Sequence, residues 1–200
     1  LIIIECPNLL GLPFLPALKK LSVKGNCSWE LLSSIHKLHN LDSLYLKDNE
    51  EVSCFPDNML SNLTSLKELF IWNHSELKLL PIETINPCVL WRLSIQNCEN
   101  LDSIFQQALQ HMTALQSILL SSLQNLTSLP DCLGNLGLLR ELCIDGCWNL
   151  MCLPTTIQCL SGLEWLNING CHPELANRCK KETGEDWPKI AHVKCLIISK

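Results

Sequence analysis

The chain has no run of apolar residues near the roughly 20 that carry a helix across a bilayer, so it contains no membrane-spanning helix of ordinary length. It lacks any excess of positive charge: its 200 residues carry 15 Lys and Arg against 20 Asp and Glu, a net charge of -5. That balance gives no basic footprint for nucleic acid. No G-x-x-x-x-G-K-[ST] loop is present; Gly184 to Lys189 lacks both the second glycine and the hydroxyl that would cradle a phosphate. No G-x-S-x-G elbow marks a hydrolytic serine. Among the 13 cysteines there is no paired C-x-x-C spacing, and the set Cys171, His172, Cys179 and His192 matches no standard zinc pattern. The odd cysteine count sits poorly with a fully paired disulfide framework and favours a reducing, cytosolic setting. The chain also lacks an initiator methionine and a signal peptide. It opens on Leu1-Ile2-Ile3-Ile4 inside a repeating pattern, which leads us to expect a C-terminal fragment whose targeting signal lies upstream.

What is present is a repeat. Leucines at 18, 41, 66, 90, 115, 139 and 163 are separated by 23, 25, 24, 25, 24 and 24 residues. A period in this range means a solenoid, in which length counts units of one domain. With 47% hydrophobic residues, the chain can fill a continuous core. The aligned template is L-x-x-L-x-[LIV]-x-x-[CN]-x-x-L-x-x-L-P. Its clearest copy is Leu139, Leu142, Ile144, Cys147, Leu150, Leu153 and Pro154. Copies from Leu41, Leu66, Leu90 and Leu115 follow it, with His74 and Leu123 in the Cys/Asn slot of two of them and Pro81 closing one. The copy from Leu18 loosens around Trp29 and Leu32, so that Asn26 to Ile35 reads as irregular. Counting a truncated copy at Leu1 and a last one at Leu163, there are eight units.

Each slot has a physical reading. The alternating L-x-[LIV] pair points to one face of a short strand, so each unit adds one strand to a parallel sheet. The Cys/Asn column at Cys6, Asn26, Asn49, Cys98, Cys147 and Cys171 lies where the chain leaves the strand. A small polar group there can satisfy backbone whose unpaired burial would cost about 1 to 3 kcal/mol. The L-x-x-L-P segment packs the far side, where proline halts helical continuation. Spacing turns helical at Ile104, Ala108, Leu109, Met112 and Leu115, and at Leu60, Leu63 and Leu66 behind Asp57 as an N-cap. Short helices or turns are bulkier than strands. The expected fold is an α/β solenoid, an arc with a concave parallel β-sheet and an irregular, short-helical convex side. After Cys171 the template fails, although Leu175 stands in a leucine slot. Residues 1–175 read as the repeats and 176–200 as a cap, in which Trp187 and Ile190 cover the last core layer and 196–198 supply a closing strand.

The residues between the core positions form columns on the concave wall. Tyr45, Phe70 and Trp72 fall beside one another, flanked by Lys47, Glu68 and Arg92, a combination typical of binding hot spots. We expect a protein contact there, against the plainer alternative that these side chains pack only among themselves. Lys20, Lys24 and Lys47, with Lys19, make a basic corner opposite Glu141, Asp145 and Glu164, either a solvated face or a docking surface for a neighbouring domain. Cys143 is the thiol whose exposure matters most.

The template resembles the leucine-rich-repeat consensus. The stretch Arg178-Cys179-Lys180-Lys181-Glu182-Thr183-Gly184-Glu185-Asp186-Trp187-Pro188-Lys189-Ile190-Ala191-His192-Val193, with Cys147-Trp148-Asn149-Leu150 and Leu153-Pro154 before it, closely resembles the end of the repeat region in plant nucleotide-binding (NB-ARC) resistance proteins of the coiled-coil class. The resemblance implies a non-catalytic sensor module of an intracellular immune receptor, acting in disease resistance. Such a module recognises a pathogen effector or a guarded host protein and restrains an upstream ADP/ATP switch by intramolecular contact. It further implies no cofactor in this chain, no nucleic-acid partner, and a cytoplasmic location, with any plasma-membrane attachment made through other regions. Two other readings stand beside it. Sequons at Asn26, Asn62, Asn73 and Asn125 suit the ectodomain of a secreted or cell-surface receptor, although L-x-G-x-I-P repeats and a paired-cysteine cap are missing. The third is the substrate-recognition arm of a ubiquitin ligase, whose repeats also use Cys.

Overall fold

In the computed structural model, which describes residues 1–80, 89–101 and 109–199 apart from the His111 side chain, each repeat places one strand in the same sheet. The strands are β1 (Ile2–Cys6), β2 (Lys20–Cys27), β3 (Ser43–Lys47), β4 (Glu68–Trp72), β5 (Arg92–Gln96), β6 (Ser117–Ser121), β7 (Glu141–Asp145), β8 (Trp165–Asn169) and β9 (Cys195–Ile198). They pair in chain order as a nine-stranded parallel sheet. The ninth strand comes from the closing segment beyond the eight template copies. Its cause is the period-two alternation: Leu21, Leu44, Leu69, Leu93, Ile118, Leu142 and Leu166 stack in register and are buried. Each buried leucine contributes about 1.5 to 3 kcal/mol relative to exposure. The column two residues on, from Val23 and Leu46 to Ile168, fills the same core.

The return path is made mostly of tight turns. Met59, Leu63 and Leu66 donate to carbonyls three residues back (2.9 to 3.2 Å), so Asp57 caps no helix and the 57–62 segment is a run of turns. Short 3-10 turns at Asp131–Asn135 and Thr155–Cys159 follow the L-P steps. Here the proline lies just before the turn with an extended ψ of 147° or 151°, setting its entry. Of the other helical spacing, Leu109–His111 forms a 3-10 turn, while Ile104 and Ala108, like Pro81, lie outside the described residues.

The segment expected to be irregular is ordered. Helix α1 (Trp29–Ser34) starts at Ser28, whose Oγ accepts from Leu31 N at 3.0 Å while donating to Leu9 O. Leu12 N donates to Ser34 Oγ at 2.9 Å, tying α1 to the first unit. The exposed Trp29 hid the helical face, whose buried members are Leu31 and Leu32.

Two further helices follow β8: α2 (Pro173–Arg178), capped by His172, and α3 (Trp187–Ile190). Leu175 is buried within α2 and occupies no repeat slot, because Pro173 starts a helix where a strand exit would otherwise turn. The second helix spans the 175/176 boundary, and β9 carries the sheet on past it.

Concave wall and end cap as the candidate functional site

Register alone assembles the central cluster. Tyr45 pairs with Phe70, Lys47 with Trp72, and Glu68 with Arg92 across β3, β4 and β5. The Tyr45 and Phe70 rings stack at 4.4 Å and 2°, and Trp72 meets Phe70 edge-on at 5.6 Å. Lys47 Nζ lies 4.2 Å from the Trp72 ring centre, and the Arg92 guanidinium lies 5.7 Å from that of Phe70. Cations on both flanks of an aromatic patch contribute about 0.5 to 1 kcal/mol each where exposed. Glu68 does not join them; it accepts from Ser43 Oγ at 2.7 Å.

Sequence reading missed the residue that fixes this patch. Ser94 is buried, and its Oγ accepts from Trp72 Nε1 at 3.0 Å and from Gln96 Nε2 at 3.1 Å. The signal was a small hydroxyl one strand beyond Phe70 in the same column. Arg92 Nε has no hydrogen-bond partner among the described residues.

The basic corner is partly neutralised. Lys24 pairs with Asp48 at 3.4 Å and Lys19 with Asp42 at 3.7 Å, all on exposed or half-exposed side chains worth little by themselves. Lys20 is exposed with no ion pair among the described residues, and Lys47 is spent on the rings. Across the wall, Glu141 accepts from Ser117 and Asp145 from Asn169, while Cys143 is half-buried and its burial pushes the thiol pKa up.

At the strand exits four of the ladder positions are sulfur donors. Cys98 Sγ lies 3.4 Å from Gln96 O, Cys171 Sγ 3.4 Å from Asn169 O, Cys147 Sγ 3.6 Å from Asp145 O, and Cys6 Sγ 3.2 Å from Ile4 O. Burial pushes the Cys98 thiol up to about 11 and that of Cys147 to about 12. The structure corrects one member. The β1/β2 register slips by a residue, so Cys27 and not Asn26 faces Cys6, and Asn49 Nδ2 donates to Cys27 Sγ at 3.6 Å. The longer β2, with its exit turn at Gly25, inserts the extra residue.

Beside it runs a second column the sequence reading did not name. Glu5, Asp48, Asn73, Asn97 and Ser122 hold positive φ between 48° and 58°, with Gly146 and Gly170 at 62° and 56° continuing the row. Asn, Asp and Gly tolerate this left-handed turn. Asn97 Nδ2 donates to Asn73 Oδ1 at 2.7 Å, and Asn73 Nδ2 to Asp48 Oδ1 at 2.5 Å. The signal was the Asx, Gly or Ser directly before every ladder slot except that of Cys6, which Glu5 precedes.

In the cap, Ile190 is buried, and Trp187 is half-buried against the core. The organising residue is Asp186, at 0% exposure. Its carboxylate accepts from Arg178 Nε and Nη2 at 3.0 and 2.9 Å, from Lys189 Nζ at 2.7 Å, and from Leu153 N at 3.0 Å. It thus ties the cap to the preceding repeat. Gly184 closes the turn because a Cβ there would lie 2.2 Å from Arg178 O. Of the remaining candidates, His172 caps α2 and His192 Nε2 bonds Leu160 O at 3.0 Å. No helix among the described residues is long and apolar enough to cross a membrane.

An in-register parallel sheet built from 24-residue units, with a buried exit ladder and an open inner wall, defines a leucine-rich-repeat solenoid. Solved structures agree on this fold. The repeat domain of the type III effector XopL matches with a TM-score of 0.62 at 19% identity, covering 99% of this chain and 75% of that one. A leucine-rich-repeat protein of Leptospira interrogans gives 0.59 at 20% identity, covering 98% and 62%. No family model matches the chain. Its sequence is 35% identical over 196 residues to a protein of Solanum bulbocastanum named as disease resistance protein RGA4, covering 98% of this chain and 17% of that protein. The chain has the leucine-rich-repeat fold and is similar along nearly its whole length to part of a plant disease resistance protein, of which it spans about a sixth.

Proposed function

We propose that this chain is the non-catalytic recognition arm of an intracellular immune receptor of the nucleotide-binding class, with 1–175 as the interaction surface and 176–200 as its cap. The observation that carries the proposal is the patch of Tyr45, Phe70 and Trp72 held between Lys47 and Arg92 on the open wall. Rigid aromatics beside cations give large contact area at small entropic cost, which suits a protein partner, either an effector or a guarded host protein. Lys20 and Lys24, both exposed, are the residues we assign to docking on the missing switch domain, with Lys47 shared between the two surfaces. A cytoplasmic location agrees with thiols in the ladder slot.

The test is Trp72→Ala in the full-length receptor, with circular dichroism of this region as the folding control. Recognition should be lost or the receptor should become constitutively active; signalling identical to the parent's would sink the proposal. Phe70 is a poorer probe, because only 8% of it is exposed and its removal also undermines Tyr45. Charge reversal of Lys20 and Lys24 should raise basal activity if they dock the switch.

The ectodomain alternative finds little support. Two sequon side chains are engaged in the fold: Asn73 in the exit column and Asn125, whose Nδ2 donates to Glu99 O at 2.7 Å.

A further inference from the structure

The concave wall changes height beyond the aromatic patch. Strands β3 and β4 present Tyr45, Phe70 and Trp72, whereas β6 and β7 present Ser117, Leu119 and Cys143 on the same face. On β8 the wall rises again at Trp165, which is 43% exposed. Between Arg92 and Trp165 lies a recess of about 290 Å³, floored by Ser117, Leu119 and Cys143. Its two ends stand three strand spacings apart, about 14 Å at the backbone.

Arg92 borders this recess without an acid of its own. Its guanidinium lies 5.7 Å from the Phe70 ring centre, forms no ion pair among the described residues, and has its Nε enclosed with no hydrogen-bond partner. The acids in its row are turned to serines. Glu68, one strand before, accepts from Ser43 Oγ at 2.7 Å, and Glu141, two strands on, accepts from Ser117 Oγ at 3.0 Å. Glu141 is also exposed, so water serves it, whereas Arg92 is half-buried with one edge of a permanent charge closed to solvent. Its two terminal nitrogens are left to meet an anion.

We propose that the recess takes an acidic side chain of a protein partner on Arg92, together with an aromatic side chain three or four residues along that packs against Trp165. The inference rests on the concave wall being the interaction surface and names what that surface selects. A carboxylate matches the planar fork of a guanidinium, and an exposed indole offers a face to a second ring. An extended segment advances about 3.3 Å per residue, so three or four residues span about 10 to 13 Å, close to the length of the recess. Glu141 lies toward the Trp165 end, which seats the acid at the Arg92 end and the ring at the other.

The probe is the peptide acetyl-Glu-Gly-Ser-Phe-amide, titrated into the intact nitrogen-15-labelled chain while the Arg92 Nε–H and Trp165 Nε1–H signals are followed by NMR. Controls are its Gln-for-Glu and Lys-for-Glu counterparts and the Gln peptide with a free C-terminal carboxylate. The Glu peptide should move both signals and bind about tenfold more tightly than each control. Arg92→Gln should abolish the preference for Glu over Gln, and Trp165→Ala should weaken the Glu peptide about fivefold while keeping that preference. Trp72→Ala, the test of the wall as interaction surface, should leave peptide affinity within about twofold, so the two readings fail separately. The proposal is overturned by no binding, by equal binding of the Glu and Gln peptides, by tighter binding of the Lys peptide, by a Glu preference that survives Arg92→Gln, or by shifts that bypass Trp165. Equal binding of the peptide with the free C-terminus would also overturn it, by showing that a chain end serves as well as a side chain.

Discussion

Asp186 carries the largest single-residue consequence. Burial alone would raise its pKa, but Arg178, the Leu153 amide and Lys189 together hold it below the usual carboxylate range. With the folded value depressed, its contribution is fully present above an unfolded pKa of about 4 and is lost as pH falls through the folded value. Asp186→Ala should destabilise the chain by about 3 kcal/mol, since it leaves the Leu153 amide unpaired and takes the shared acceptor from Arg178, which keeps Glu185, and from Lys189, which keeps Leu153 O. Urea denaturation near neutral pH measures this. His74 gives the opposite case. Burial, against the pull of Trp72 O and Asp48, lowers its pKa, so the unfolded chain binds the proton first. Stability should therefore fall as pH drops below about 6.5, the unfolded histidine value, and His74→Asn should flatten that slope. An urea midpoint equally pH-dependent in His74→Asn would assign the slope elsewhere.

At the scale of the element, helix α1 and the strand exits decide local order. Ser28→Ala removes both the cap of α1 and the tie to Leu9, and should cost about 1 kcal/mol or slightly more. The exit column separates backbone strain from side-chain bonding. Asn97→Gly keeps the left-handed turn but loses the bond to Asn73, whereas Asn97→Val loses both. The valine variant should be less stable than the glycine one by about 1 to 2 kcal/mol, read as the difference between their thermal unfolding midpoints. Equal midpoints would mean that the turn relaxes out of its positive φ of 50°. The ladder thiols Cys98 and Cys147, pushed up to about 11 and 12, should resist alkylation in the folded chain at neutral pH and react on unfolding.

For the whole molecule, stability is transmitted layer by layer, because each repeat buries its face only against its neighbours. Truncation after Cys171 removes β9, α2, α3 and Asp186 together, and so exposes Leu166 and Ile168 and unpairs Leu153 N. Such a fragment should aggregate or melt well below the intact chain; a soluble fragment with an unchanged midpoint would show that the cap is dispensable. The concave wall itself should hardly notice, since the aromatic patch lies on β3 and β4, several layers away.

The sequence by itself determined the repeat, the strand register and therefore which side chains share the concave wall. A period of two within a period of 24 residues leaves no other pairing that buries every leucine. It also determined the Tyr45, Phe70 and Trp72 neighbourhood, because in-register parallel strands carry equal positions side by side. Tertiary structure decided what depends on distance across units. Ser94 grips the Trp72 indole, the β1/β2 slip moves the ladder from Asn26 to Cys27, and an aspartate in the cap reaches back 33 residues to the Leu153 amide. It also decided that Ile190 is fully buried in the cap and Trp187 only half-buried. Whether side chains fill a layer is a matter of volume and approach, which no spacing in the chain records.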